Sequence, residues 1–310
     1  MEAGASRPML AAALVVGAMA LFGLIDNFMR LAAQSGGLWQ FHLLRAGIAL
    51  GLLLPFAWWW GLRLRPLRPG RVLLRSVLSS TAMVIYFGGL GLLPIAQVVA
   101  GLFAAPLFVV VFSVLLFGDR VGAWQAGAVG IGFLGILMAL GLDASALSGW
   151  SLLPVLSGAF YGLGNLVTRK WCAGEGTLTL LGGFFGMMLL FGGLGCLGLA
   201  LWPLPVAPGA EGWATRGWVR PEGWFLVVVV VQGMGSLLGV GMVIRAYQIA
   251  DSALVAVWEN ALLVFATLWA IALWREVPGP VEWAGLALVT LAGVLIAVRE
   301  PGAVAVREEP

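Results

Sequence analysis

The sequence predicts an all-α integral membrane fold of ten transmembrane helices, and composition, run length and run number carry that prediction. Hydrophobic residues make up 61% of the chain against 10% charged, with a mean hydropathy of +1.02. So little polar surface cannot cover a soluble globule of 310 residues. The apolar runs continue for about 20 residues, the length an α-helix needs to cross hydrocarbon, whereas barrel strands would alternate polar and apolar over short segments. Ten such runs follow one another, at roughly 9–33, 38–60, 72–92, 94–117, 123–142, 150–171, 178–201, 223–246, 252–273 and 280–298.

The first run is too long for a signal-peptide core and lacks a convincing cleavage site, so it is expected to be retained as a helix. Within "LFGLIDNFMRLAAQ" it holds Asp26, Asn27 and Arg30 in two helical turns. The second run carries Phe41, His42 and Arg45 and ends on Trp58–Trp60; with Trp39 and Trp274 these tryptophans are expected as interfacial anchors. The third contributes Tyr86 and the fourth Gln97, with Pro106 expected to bend it. In the fourth and fifth, "AGLFAAP" and "GAVGIGFLG" supply small residues for close helix contact. Asn165 lies in the sixth run, and a Pro/Gly/Trp-rich loop over 202–222 separates the seventh from the eighth, which holds Gln232 and Tyr247. The ninth opens with Trp258, Glu259 and Asn260. The polar ends leave no room for a soluble domain, so function is expected within the bundle.

Positive charge sets the expected orientation. With both ends cytoplasmic, twelve Lys and Arg fall inside (Arg7, the cluster Arg63, Arg65, Arg68, Arg71 and Arg75, then Arg120, Arg169, Lys170, Arg245, Arg299 and Arg307) against Arg216, Arg220 and Arg275 outside. Arg30 and Arg45 remain within helices. The net charge of +3 is therefore read as anchoring to an anionic leaflet of the inner membrane and not as a nucleic-acid surface.

The chain also repeats. "LLFGDRVGAWQAGAVGIGFLGILMA" reads like "ALWREVPGPVEWAGLALVTLAGVLIA", which sets Asp119 against Glu276; "LFGLIDNFMR" reads like "FYGLGNLVTR", which sets Asp26 against Asn165. The offset grows from 139 to 157 across the loop at 202–222. Five helices per half make the second half enter from the opposite side, giving expected inverted repeats over 1–149 and 150–310. That arrangement suits an alternating-access carrier with its site near the midplane.

A charge at the bilayer centre costs at least ~2.5–3.5 kcal/mol, so buried charges face the bundle interior, pair or line water. Asp26 and Arg30 are spaced i, i+4 and are expected to share a face in salt-bridging range, forming an internal cluster with Arg45. Two arginines against one aspartate leave Arg45 to hold a substrate carboxylate in bidentate fashion. Glu259 lies about seven residues, or ~10 Å, into helix nine. Its i±3 and i±4 neighbours are Ala256, Val255, Leu262 and Leu263, none of them basic. A carboxylate in that setting is expected to take a coupling proton or a substrate cation. Asp26 is the second coupling candidate. Trp258 beside Glu259 suits cation–π contact with an ammonium or sulfonium group. Asn260, Tyr86, Gln97 and Asn165 are further substrate-binding candidates, each of which would otherwise serve as an interhelical hydrogen bond. The single histidine, His42, is read as a satisfied residue near the outer end of its helix.

One histidine, two cysteines in apolar context and two separated acids do not assemble a catalytic or metal set, so no enzyme, no metal and no cofactor is expected. No repeated ring of like residues suggests a channel. The remaining class is a secondary carrier for a small polar organic metabolite, embedded in lipid as a monomer or weak dimer.

These residues resemble the drug/metabolite transporter superfamily, EamA type, whose members have ten helices in two inverted five-helix halves and need no soluble cofactor. The resemblance covers nearly the whole chain. Asp26 followed by Arg30 in the first helix, with Phe41 and Arg45 in the second, is similar to the S-adenosylmethionine carrier-like subgroup. "VWENALLVFATLWAIALWREVP" resembles that subgroup's acid-plus-aromatic helix start, with Asn260 where an aromatic is common. The resemblance implies transport of an amino-acid-like compound or an amino-acid derivative, with an S-adenosylmethionine-type or organic-cation substrate as the alternative.

Overall fold

In hydrocarbon every backbone N–H and C=O must be satisfied within its own segment, which is why the apolar runs fold as helices. The computed structural model describes residues 8–62, 64–93, 95–118, 122–139, 152–172, 174–249, 258–259 and 261–298. They form α1 (Pro8–Asn27), α2 (Met29–Ser35), α3 (Leu38–Trp59), α4 (Pro69–Leu92), α5 (Ile95–Leu102), α6 (Ala105–Phe117), α7 (Ala123–Ala139), α8 (Leu153–Trp171), α9 (Thr177–Leu201), α10 (Gly223–Ile249), α11 (Ala261–Trp274) and α12 (Pro280–Val298). No strand occurs among the described residues. Among the described residues, six helical stretches are long and apolar enough to cross a membrane, and Ala126–Ala139, Ala261–Trp274 and Pro280–Ala292 are shorter apolar helices.

Two of the apolar runs are broken. Between α1 and α2, Phe28 sits at φ −84° and ψ −4°, and its N–H donates to the Ile25 carbonyl. The Asn27 side chain holds this step, donating to Gly23 O at 2.6 Å and to Ala266 O of α11 at 3.1 Å. Short polar side chains compete in this way with the helical ladder. The fourth run breaks between Leu102 and Ala105, with a proline as the second residue of α6. The bend expected at Pro106 falls just ahead of it, where the missing N–H is harmless.

The helices pack in a pattern that repeats. α3 lies on α9, α7 on α12, α4 on α8 and α1 on α10; α8 also packs on α5 and α6 as α1 packs on α11, and α10 touches α3 as α4 touches α9. Small residues set the closest approaches. A Cβ on Gly23 would lie 2.8 Å from the Ala266 nitrogen, and one on Gly162 would lie 2.6 Å from the Ala105 carbonyl oxygen.

The segment over 202–222 is a tightly bonded cap. Trp213 is fully buried and donates to Phe87 O at 3.1 Å, while its own carbonyl accepts from Leu38 N at 2.9 Å. Arg216 donates to Ala33 O and Gly36 O, covering carbonyls that the end of α2 leaves open, and to Gly209 O within the cap. Burial draws its pKa below the ordinary arginine value. Gln40 exchanges two hydrogen bonds with Val219, and Trp39 donates to Ala214 O. Trp39 is thus bonded into the protein, unlike the exposed Trp58, Trp59 and Trp60.

Candidate functional site

Asp26, at the end of α1, is only 7% exposed. Its Oδ2 accepts from the Tyr86 hydroxyl of α4 at 2.7 Å and its Oδ1 from Gln232 Nε2 of α10 at 2.8 Å. One carboxylate therefore ties three helices together. Arg45 of α3 is close enough for its charge to act on Asp26. Its Nε donates to Ser236 Oγ at 3.1 Å, and its guanidinium carbon lies 4.3 Å from the Phe87 ring centre and 5.7 Å from that of Phe41. Arg45 Nη1 is buried with no hydrogen-bond partner. Next to it, His42 is fully buried against the edges of Phe41 and Phe87, and neither ring nitrogen has a partner. The satisfied histidine expected from sequence is instead an unsatisfied one, because rings fill the space on both sides of it.

Arg30 does not join this cluster. The step at Phe28 ends the helical register after Asn27, so the i, i+4 relation that would stack Arg30 on Asp26 no longer applies. Arg30 pairs with Glu276 and lies over the Trp274 ring at 4.9 Å. Trp274, expected as an interfacial anchor, is packed between Arg30 and Phe28, whose ring meets it edge-on.

A second polar group surrounds α8. Asn165 is half-buried and hydrogen-bonds Tyr161, which also lies within reach of the charges of Glu259 and Arg75. Arg75, counted above among the cytoplasmic charges, is part of α4: its Nε donates to Thr168 Oγ1 at 3.3 Å and its Nη1 to Leu180 O at 3.2 Å. Trp258 and Glu259 are half-buried, with Trp258 packed on the main apolar core. The side chains of Asn260 and Tyr247 lie outside the described residues. In the sequence Gln232 stands out only as a polar residue of the eighth run, and Tyr161, Ser236 and Trp213 do not stand out at all. The available signal was position: each polar group interrupts an otherwise apolar run.

At the end of the bundle that carries the 202–222 cap, a small recess is lined by Asp26, Asn27, Arg30, Leu93, Trp274 and Glu276, among others. Beside it is a cavity of about 250 Å³, on which Gln97 opens. Glu276 and Ile95 belong to both walls.

Residues 9–141 match the EamA-like transporter family. Together with the relatives below, this match supports an EamA-type protein of the drug/metabolite transporter superfamily. The chain is similar to a riboflavin transporter of Rhizobium johnstonii, 28% identical over 86% of this chain and 82% of that one. It is also similar to an S-adenosylmethionine uptake transporter of Rickettsia felis, 23% identical with 83% and 82% covered. A pseudopaline exporter of Pseudomonas aeruginosa is 26% identical, with 74% and 76% covered. A crystal structure of a protein chain shares the fold, with a TM-score of 0.59, 18% identity and 93% and 95% covered. These likenesses and the apolar helices support a multi-pass membrane transporter acting on a small molecule.

Proposed function

We propose that the protein is a secondary active carrier that works by alternating access and moves an amino-acid-like zwitterion or an amino-acid derivative. The observation that carries this reading is Arg45: a guanidinium buried between helices, bonded through Nε alone, with Nη1 free of any partner. A buried donor without a partner costs about 1–3 kcal/mol, which a ligand carboxylate would recover. In this reading substrate docks between the halves 1–149 and 150–310 near Arg45 and Trp258, and Glu259 or Asp26 takes a coupling proton. Tyr86, Gln97 and Asn165 line the route. The mirrored helix pairing supports two inverted halves, and the charge count supports cytoplasmic ends in an inner membrane, as a monomer or weak dimer.

The relatives' names span riboflavin and S-adenosylmethionine, so a second substrate reading is kept. The half-buried Trp258 beside Glu259 is an aromatic face suited to a planar or sulfonium-bearing ligand. The test is current from proteoliposomes on a solid-supported membrane, challenged with amino acids, S-adenosylmethionine, riboflavin and quaternary amines, with radiolabel counterflow for electroneutral exchange. A saturable, substrate-specific signal lost in both Arg45→Ala and Glu259→Gln is expected. Normal transport by both folded variants sinks this site.

A further inference from the structure

Where α3 ends and α4 begins, "WWWGLRLRPLRPGRVLLR" over 58–75 interleaves aromatic, aliphatic and basic residues. Trp58, Trp59 and Trp60 are exposed, and so are Leu62, Leu67, Leu73 and Leu74. Arg65, Arg68 and Arg71 stand among them, also exposed, and no salt bridge or side-chain hydrogen bond engages them among the described residues. The turn itself is firmly held. Glu175, between α8 and α9, accepts from Leu67 N at 2.9 Å and from Arg68 N at 2.7 Å, so its carboxylate is taken up by backbone amides.

The arginines converge. Arg68 caps α4, and Arg71 and Arg75 follow at i+3 and i+7, which places all three on one face of its first two turns. Arg75 is pinned at the base of that face by Thr168 and Leu180 O. Arg68, Arg71 and Arg75 all lie close enough for their charges to act on Cys172 at the end of α8, and Glu175 is the one acid that acts there with them. Like charges at this spacing repel, and positive charge at a helix N-terminus opposes the macrodipole. The first turn of α4 holds no acid to relieve it. Glu175 and the carbonyl end of α8 offset only part of the charge, so the face is short of an anion.

We propose that this turn is a docking site for an anionic phospholipid, whose phosphodiester headgroup is held by Arg65, Arg68 and Arg71. Guanidinium groups match phosphate oxygens with paired N–H donors, and basic clusters beside a spanning helix attract anionic headgroups. A lipid is the occupant, in place of free phosphate, because the same turn exposes tryptophans, which seat at headgroup level, and leucines, which acyl chains cover. A scattered excess of positive charge orients a chain; charges gathered on one face make a site with a headgroup preference. The capped end differs. There Arg216 is taken up by three carbonyls and Arg30 by Glu276. Because Glu175 ties the turn to the junction of α8 and α9, a bound lipid also braces α4 against those two helices.

Native mass spectrometry of the full-length protein, titrated in detergent with diphosphatidylglycerol, phosphatidylglycerol and phosphatidylcholine of matched acyl chains, counts bound lipids without any transport step. Its outcome is therefore separate from that of the carrier reading. Saturable binding of an anionic lipid is expected, with phosphatidylcholine much weaker. Replacing two arginines together, Arg68→Gln and Arg71→Gln, should weaken binding about thirtyfold, or about fivefold for each. Glu175→Gln keeps an acceptor for the two amides and removes the opposing charge, so it should tighten binding about threefold. Arg220→Gln, exposed at the capped end, should leave it unchanged. If the double variant is not monodisperse, Arg71→Gln alone should show the fivefold loss. Phosphatidylcholine binding as tightly as the anionic lipids, unchanged binding in the arginine variants, an equal loss in Arg220→Gln, or displacement of the lipid by an equal concentration of sn-glycerol 3-phosphate each overturns the proposal.

Discussion

The surroundings of α1 and of α8 are built on one plan and carry different chemistry. Gly23 seats α1 against Ala266, and Gly162 seats α8 against Ala105; the two glycines are related by the same offset of 139 that relates Asp26 to Asn165. Gln232 of α10 bonds α1, and Arg75 of α4 bonds α8 and α9; the offset of 157 that relates Asp119 to Glu276 also relates Arg75 to Gln232. Around α1 the carboxylate sits on the helix and the amide reaches in. Around α8 the helix offers an amide and a hydroxyl, and the charge reaches in. The packing glycines are kept on both sides, whereas the charged group has changed partner helix. Close contact fixes the scaffold, and polar identity is free to differ between the two neighbourhoods.

The comparison is broken most severely at Asp26. Asp26→Ala strands the Tyr86 hydroxyl and Gln232 Nε2, each a buried donor worth roughly 1–3 kcal/mol. The loss should appear as a large fall in the melting temperature followed by fluorescence-detected gel filtration. Recovery of wild-type stability in the alanine variant would mean that the carboxylate does not hold the three helices. Next in size, Gly23→Val and Gly162→Val should each cost about 1–3 kcal/mol from overpacking, and by similar amounts. A variant that melts like wild type would show that its helix pair has room to spare. Asn165→Ala should cost about 1 kcal/mol or less, the worth of one interhelical hydrogen bond in a membrane. Should it match Asp26→Ala, the asymmetry argued above is absent. The smallest effect belongs to the half-exposed Arg30–Glu276 pair. A double-mutant cycle with Arg30→Gln and Glu276→Gln should give a coupling of about 0.2–1 kcal/mol.

Much of this plan was legible in the residues. Among the described residues, apolar runs of the right length become helices, two of them broken in the middle, because hydrocarbon leaves the backbone no alternative. The matches of Asp26 with Asn165 and of Asp119 with Glu276 give the offsets used in the comparison above. Side-chain partners were less legible. The spacing of Asp26 and Arg30 assumed an unbroken helix, and nothing local in "DNFMR" announces that Asn27 will reach across to Ala266 and fix a break at Phe28. Tyr86 and Gln232 looked like isolated hydrogen bonders, since the carboxylate that gathers them is 60 and 206 positions away in sequence. Arg75 reads in sequence as one of the cytoplasmic anchoring charges, because its partners, Thr168 and Leu180 O, come from helices far along the chain.

The cap over 202–222 also has a meaning for how the protein is made. The carbonyls of Ala33 and Gly36, the amide of Leu38 and the side chains of Trp39 and Gln40 all find their partners between residues 213 and 219. While the ribosome is still translating α3 to α9, those groups have only water to bond, and the slot that Trp213 will fill between Phe41 and Phe87 stands open. The first helices to be synthesised therefore wait for the cap before their ends are finished. A chain stalled before residue 213 would present that unfinished end to the cell's quality-control proteases.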